Sequence, residues 1–412
     1  MFLITEETIN SVAKQINERN SKNYSIPIIG DETNSEIPHF FEILNFEEID
    51  KTERKFYAID GSYNSHQFYN GLAVGIYSAG YVCYYKGKEL RMNKNADPVI
   101  LGKSYYPNNI LILNQNDLNE IYDELLVLEP VKKLINFFQT NPEEIFSYGK
   151  DTVCSSLSTL LSFSQEILEW SLVLEIANLE ETKKGDFILR DGPLRSLQIK
   201  QEFLVRLGEY LHSKEIIIVG ITKNSPIKME LSYTYKQIDD YLQDQLKPKF
   251  CFSIDDVKRQ KLCCWFEVPD SVLLASYGGD RGSAMYTKKD IKGGRGFGFF
   301  STARLDYVEK LQNYDWVIVD INIFDAIPNI KIKNPSRDLD QLKVIFKELT
   351  RLTQEHYILG YPYPLVEAHN FVTLKKDFKE EIIKRVKSAL YSEQRLDNVD
   401  IENLFLDIHD KF

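Results

Sequence analysis

Short apolar runs that stop at Asp or Gly give way along this chain to longer stretches in which apolar residues return every three or four positions. That switch between strand and helix periods predicts a mixed α/β protein. The run KFYAID ends at Asp60 before Gly61 and Ser62 and reads as a buried strand closing in a turn. Gly71 to Ser78 and Tyr81 to Lys86, rich in Val, Ile and Tyr and separated by Ala79-Gly80, read as a hairpin, so three antiparallel strands open the domain. Helical spacing covers Asn116 to Phe138 and Thr152 to Leu179. DFILRDG, from Asp186 to Gly192, reads as a strand with an acidic end. A helix over Ser196 to His212, a strand over Glu215 to Ile221 and a helix over Met229 to Gln245 follow. Phe250 to Ser301 is strand-rich, Asp315 to Ile321 reads as a strand, and Asp338 to Phe412 is mostly helical. With no internal repeat, heptad array or linker-like composition, the pattern predicts one α/β domain carrying helical and strand-rich insertions.

The 412 residues are 43% hydrophobic and 12% aromatic, enough for a large core. Asp and Glu number 61 against 50 Lys and Arg, a net charge of -11, so any nucleic-acid contact must come from a local basic patch. Cys83, Cys154, Cys251, Cys263 and Cys264 show no Cys-x-x-Cys spacing, which fits buried thiols in a reducing compartment better than disulfides or zinc. The start, MFLITEETINSVAKQINERN, lacks a basic leader followed by a long apolar stretch and reads as an amphipathic helix. No apolar tract approaches the roughly 20 residues that span a bilayer. The expectation is a soluble cytoplasmic protein with no membrane contact.

Two apolar strands finish on Asp60 and Asp191, each followed by Gly. Asp-Gly also makes ordinary turns, but functional groups in α/β sheets gather at the carboxyl ends of strands. Two such aspartates and a helix Glu would form an oxygen-rich pocket for Mg²⁺ or Mn²⁺. The long helix offers Glu166, Glu169 and Glu175. We choose Glu175, because SLVLEIANL surrounds it with apolar positions and a buried carboxylate needs a counter-charge, and hold Glu169 as the reserve.

In GYPYPLVEAHNFV, Pro362 and Pro364 force an extended entry into a helix, leaving Tyr361 and His369 as the groups with chemistry. His369 could ligate a metal or carry a proton, and Tyr361 could bond a phosphate or water, although a structural His on such a helix is common. Between Gly279 and Arg304, the basic residues Arg281, Lys288, Lys289, Lys292, Arg295 and Arg304 face only Asp280 and Asp290. Glycines at 293, 294, 296 and 298 would let amides approach phosphate, and Phe297, Phe299 and Phe300 could stack on unpaired bases or turn into the core. LGKS at Leu101 to Ser104 lacks the upstream glycine of a phosphate loop, since Asp97 stands there. GGRGFGFF lacks the third glycine of a dinucleotide fingerprint.

Four separated pieces, AIDGS (Ala58 to Ser62), RDGPL (Arg190 to Leu194), VGITKNS (Val219 to Ser225) and YPYPLVEAH (Tyr361 to His369), resemble the NurA family in that order. The resemblance implies a ribonuclease H-like mixed sheet flanked by helices over roughly residues 55–373. A helical insertion would lie near 91–150, a dimer or partner contact in 1–54 and a helical tail in 374–412. It further implies a homodimer, Mn²⁺-dependent 5′-to-3′ exonuclease and single-strand endonuclease activity with Mg²⁺ as a possible substitute, and DNA-end processing with a HerA-type hexameric ATPase. That role is compatible with repair or with antiviral defence, and Ile4 to Ile16 is a reasonable docking helix. Carried over by residue, Asp60, Glu175, Asp191 and His369 would bind metal, Tyr361 would complete the catalytic set, and Lys223 would lie near the DNA backbone; the basic patch from Arg281 to Arg295, read from its charge alone, would be the further DNA-facing surface. Pro193 stands where the family's second Asp-Gly motif has Ser. The competing readings are an actin-like-fold ATPase or kinase and a catalytically silent adaptor of the ATPase.

Overall fold

The structure, a computed structural model, describes residues 10–14, 39–45, 54–67, 73–85, 101–105, 111–113, 118–147, 157–196, 198–232, 234–235, 260–268, 298–305, 316–328, 336–354, 360–373, 376–393 and 401–402. It divides into two compact units. One holds Glu53–Asp191, Ser196–Ile218 and Pro364–Phe412; the other holds Met1–Thr52, Gly192–Arg195 and Val219–Tyr363.

In the first unit, β2 (Lys55–Gln67) pairs antiparallel with β3 (Ala73–Tyr85), and β3 pairs in turn with β4 (Leu101–Tyr105) and β5 (Leu111–Leu113). On its other side β2 pairs in parallel with β6 (Phe187–Asp191), so the sheet is mixed. The connection to β6 runs through α1 (Leu118–Val127), α2 (Glu129–Phe138), α3 (Pro142–Ile145) and α4 (Leu157–Ala177). Then come α5 (Gln201–Ser213), the first residues of β7 (Ile217–Thr222), and the C-terminal helices α9 (Tyr363–Val372) and α10 (Lys376–Glu393). Three antiparallel strands, a crossover helix and a parallel strand match the ribonuclease H-like order expected from the resemblance.

Helix α4 is the spine of this unit. It is apolar nearly all round, and every residue from Ile167 to Ala177 is buried, as a helix without a polar face must be. It packs on β2 and β3. Its two buried carboxylates, Glu169 and Glu175, must therefore each find a partner.

The second unit contributes the antiparallel order β1 (His39–Asn45), β8 (Gln260–Glu267), β9 (Gly298–Arg304), β10 (Val317–Asn322) and the remainder of β7. Helices α6 (Pro226–Glu230), α7 (Ile323–Ala326) and α8 (Leu339–Gln354) accompany it. Trp265 of β8 stacks on Phe346 of α8 at 4.5 Å, and Tyr235 stacks on Trp316 at the same separation.

Several sequence expectations change. Strand β2 does not close at Asp60 but runs through Gly61 and Ser62 to Gln67, with Asp60 opposite Gly80. Gly61 serves packing rather than turning: a Cβ there would lie 2.5 Å from Gln165 Cγ and Glu169 Oε1 of α4. Likewise Ala79-Gly80 is no turn, because β3 is continuous, and the hairpin connection falls between Gln67 and Ala73, outside the described residues. The helix expected over Asn116 to Phe138 breaks at Leu128, because Pro130 cannot extend the preceding turn and instead opens α2. The helix expected from Ser196 begins at Gln201, since the Ser196 hydroxyl accepts from Gln198 N and Ile199 N and holds a turn. The helix expected from Met229 starts earlier, where Ser225 caps Pro226–Glu230, and its expected continuation lies mostly outside the described residues. LGKS forms β4 rather than a phosphate loop.

Candidate functional site

Parallel pairing of β2 with β6 sets Ile59 opposite Arg190, so the next residues, Asp60 and Asp191, lie side by side. Alternation along a strand then turns both carboxylates to one face, and Arg190 and Gly61 to the other. Helix α4 occupies the Gly61 face, where Arg190 Nη2 donates to Glu169 Oε2 at 2.8 Å. On the opposite face, α9 brings His369 Nδ1 to 2.8 Å from Asp60 Oδ2. The Ser78 hydroxyl, fully buried on β3, donates to the Val372 carbonyl and ties the end of α9 to the sheet.

Asp60 is 7% exposed. Burial first, and the neighbouring charge of Asp191 second, raise its carboxyl above the ordinary carboxylate range, while His369 and the Gly61 amide pull it down. The Gly61 N–H donates to Asp60 Oδ1 at 2.8 Å. Asp191 is half-buried, and the His369 side chain is 57% exposed, so this face reaches solvent.

Behind the pair, Gln165 Nε2 donates to Glu169 Oε1 at 2.7 Å, and the Arg190 guanidinium lies over the Trp170 ring, 4.9 Å from its centroid. Burial pushes the Glu169 carboxyl up to about 7 against the pull of Arg190, with the charge of Asp60 adding to the rise. Glu169 is thus the helix carboxylate that shares an electrostatic neighbourhood with Asp60. Glu175, preferred from the sequence, instead accepts a bond from the Tyr105 hydroxyl at 2.6 Å. Six residues on a helix amount to about 9 Å of rise and about one and two-thirds turns, which takes Glu175 away from Glu169's position.

Tyr361 and Lys223 belong to the other unit, where they meet each other: Lys223 Nζ stands 3.7 Å from the centroid of the buried Tyr361 ring. Arg281, Lys288, Lys289, Lys292 and Arg295 lie outside the described residues. Of the aromatics proposed to stack on bases, Phe299 and Phe300 are buried in β9, and the Arg195 guanidinium lies 3.8 Å from the Phe300 centroid. They face the interior rather than a single strand.

Among the described residues, no group of three or more His, Cys, Asp or Glu is arranged to hold a metal ion. The donor chemistry of the pair nonetheless suits a hard divalent cation, because two adjacent carboxylates repel one another and a bound dication would offset that repulsion. Sequence reasoning gave no role to Arg190 or Gln165. The available signal was a lone cation inside the apolar strand FILRD, which a folded chain cannot bury without a partner.

Among curated proteins, none matches this chain. The crystal structure of the NurA nuclease from Sulfolobus solfataricus is similar at 17% sequence identity, over 96% of this chain and 97% of that one, with a TM-score of 0.42. A family model described as the NurA domain matches residues 54–374, the span that contains Asp60, Asp191 and His369. On that match, the chain belongs to the NurA family of nucleases.

Proposed function

We propose that this protein is a divalent-metal-dependent DNA nuclease whose reaction centre is built on Asp60 and Asp191. The observation that carries the reading is their adjacency on β2 and β6, with His369 bonded to Asp60 from α9. Asp60 and Asp191 would hold the ion, Mn²⁺ or Mg²⁺, which supplies Lewis acidity and a water of lowered pKa. Asp60 also orients His369 through Nδ1, which leaves the second ring nitrogen of a largely exposed imidazole to take or give a proton. Lys223, exposed and stacked on Tyr361, is suited to a phosphate of the DNA backbone.

The finer reading follows the family: 5′-to-3′ exonuclease and single-strand endonuclease activity, a homodimer, and action beside a HerA-type hexameric ATPase. The test is cleavage of 5′- and 3′-labelled single- and double-stranded DNA with Mn²⁺, Mg²⁺ or EDTA, comparing wild type with Asp60→Ala. Metal-dependent cleavage that disappears in the variant supports the reading. Absence of cleavage, even with the cognate ATPase added, would favour a silent adaptor.

A further inference from the structure

The face of β2 that carries Asp60 changes character at that residue. Side chains alternate along a strand, so Phe56, Ala58, Asp60, Ser62 and Asn64 share one face. Phe56 and Ala58 are fully buried, Asp60 is the last buried residue of the series, and Ser62 and Asn64 are half-buried. A separate contact fixes which face this is: Ser62 stands opposite Ser78, whose hydroxyl donates to the Val372 carbonyl of α9. Ser62 and Asn64 therefore lie on the side where α9 brings the largely exposed His369 to Asp60. Past the carboxylate the strand stays regular. Each residue from Lys55 to Gln67 is paired with β3 in unbroken register, so successive positions on this face are about 6.7 Å apart.

We infer that β2 beyond Asp60 is a phosphate track, on which the Ser62 hydroxyl and the Asn64 side-chain amide donate to phosphates one and two nucleotides from the bond that is cut. This rests on the reading of Asp60 and Asp191 as the ion-holding pair. With the scissile phosphate at the ion, the next two positions on the same face fall at a spacing comparable with that of neighbouring phosphates in an extended single strand. Serine and asparagine are common phosphate donors that grip the backbone without reading its bases. Both are neutral, so in a chain of net charge -11 they add a hold that does not depend on counterion release.

The experiment uses the full-length protein and the variants Ser62→Ala, Ser62→Thr, Asn64→Ala and Asn64→Lys. Ser65→Ala, at an exposed position on the opposite face, is the control, and Asp191→Ala is the reference for the site. It measures kcat and KM on a labelled single-stranded oligonucleotide with Mn²⁺ over a range of salt, and Mn²⁺ affinity in the absence of DNA by calorimetry. Ser62→Ala and Asn64→Ala each raise KM by about 2- to 10-fold, the loss of one neutral hydrogen bond. Their kcat and Mn²⁺ affinity stay within about twofold of wild type, as for a contact made equally in ground and transition states. Ser62→Thr keeps the hydroxyl and the wild-type KM. Asn64→Lys lowers KM and steepens its salt dependence, which the alanine variants leave unchanged. If Ser62→Ala fails to fold, the two Asn64 variants carry the same comparison.

Oligonucleotides with a single methylphosphonate, one or two nucleotides to either side of the cleaved bond, complete the test. On one side, the nearer modification cancels most of the further effect of Ser62→Ala, and the farther one most of that of Asn64→Ala. Wild-type KM in both alanine variants would overturn the inference, as would an equal rise in Ser65→Ala or losses that combine independently with every modification. A fall in kcat and Mn²⁺ affinity in place of the rise in KM would make the two residues supports of Asp60 and overturn it too. In each case the nuclease reading stands if Asp191→Ala is inactive. Full activity in Asp191→Ala would instead sink that reading, and the inference with it.

Discussion

His369 Nδ1 and Asp60 Oδ2 meet at 2.8 Å although 309 positions separate them in the chain. One comes from a C-terminal helix and the other from the first strand of the nuclease-family match, so the contact exists only once that unit is closed. The same contact helps keep the Asp60 carboxyl from rising further.

Asp191→Asn removes the neighbouring charge that raises Asp60, so the Asp60 carboxyl should titrate lower in the variant. A group whose folded pKa lies above its unfolded value contributes stability at low pH that is lost as pH rises through the folded value. The variant should therefore lose less stability than wild type on going from acid to neutral pH in EDTA. Urea unfolding across that range, with carbon-13 carboxyl titration of Asp60, checks both halves. Cleavage should be abolished at the same time.

Gly61→Ala drives a methyl group to 2.5 Å from Gln165 Cγ and Glu169 Oε1. Overpacking of this kind costs about 1 to 3 kcal/mol. A urea midpoint that does not move would show that α4 can retreat from β2 without cost.

Glu169→Gln should change how stability depends on pH. The wild-type carboxyl, raised from 4.5 to about 7, favours folding fully below 4.5 and loses that contribution as pH climbs to about 7. The glutamine has no such loss, so its stability relative to wild type should rise across that window, by up to about 3 kcal/mol. A pH-independent difference between the two proteins in EDTA would contradict the raised carboxyl.

Ser78→Ala deletes the bond to the Val372 carbonyl and leaves a buried acceptor at the end of α9. The expected cost is about 1 to 3 kcal/mol of stability, with faster hydrogen exchange concentrated in α9. Exchange that is unchanged there would mean the helix is held by its apolar face alone.

Much of this architecture could be read from the sequence because period and burial agree. DFILRDG contains an apolar run, and β6 is buried up to Arg190. The residues at the expected ends of elements misled, since glycine after an apolar run carries two meanings. At Gly61 and Gly80 the glycine serves close packing or strand pairing, not reversal, and only the partner in space decides which. Apolar neighbours favoured Glu175 over Glu169, and that ground does not separate them. Both lie on a helix buried all round, and what separates them is Tyr105 on β4 and Arg190 on β6, partners that no local window contains. Arg190 itself was visible as a charge in an apolar strand, but its partner was not.

Strand β2 passes through Asp60 without stopping, flanked by β3 opposite Gly80 and by β6 one residue earlier. The carboxylate at the heart of the proposed chemistry thus hangs from backbone held on both sides, in the part of the unit that opens last when a protein breathes. Loops outside it can lengthen, vary or acquire new partners without disturbing its position. A chain of this kind can change what it grips far more freely than how it cuts.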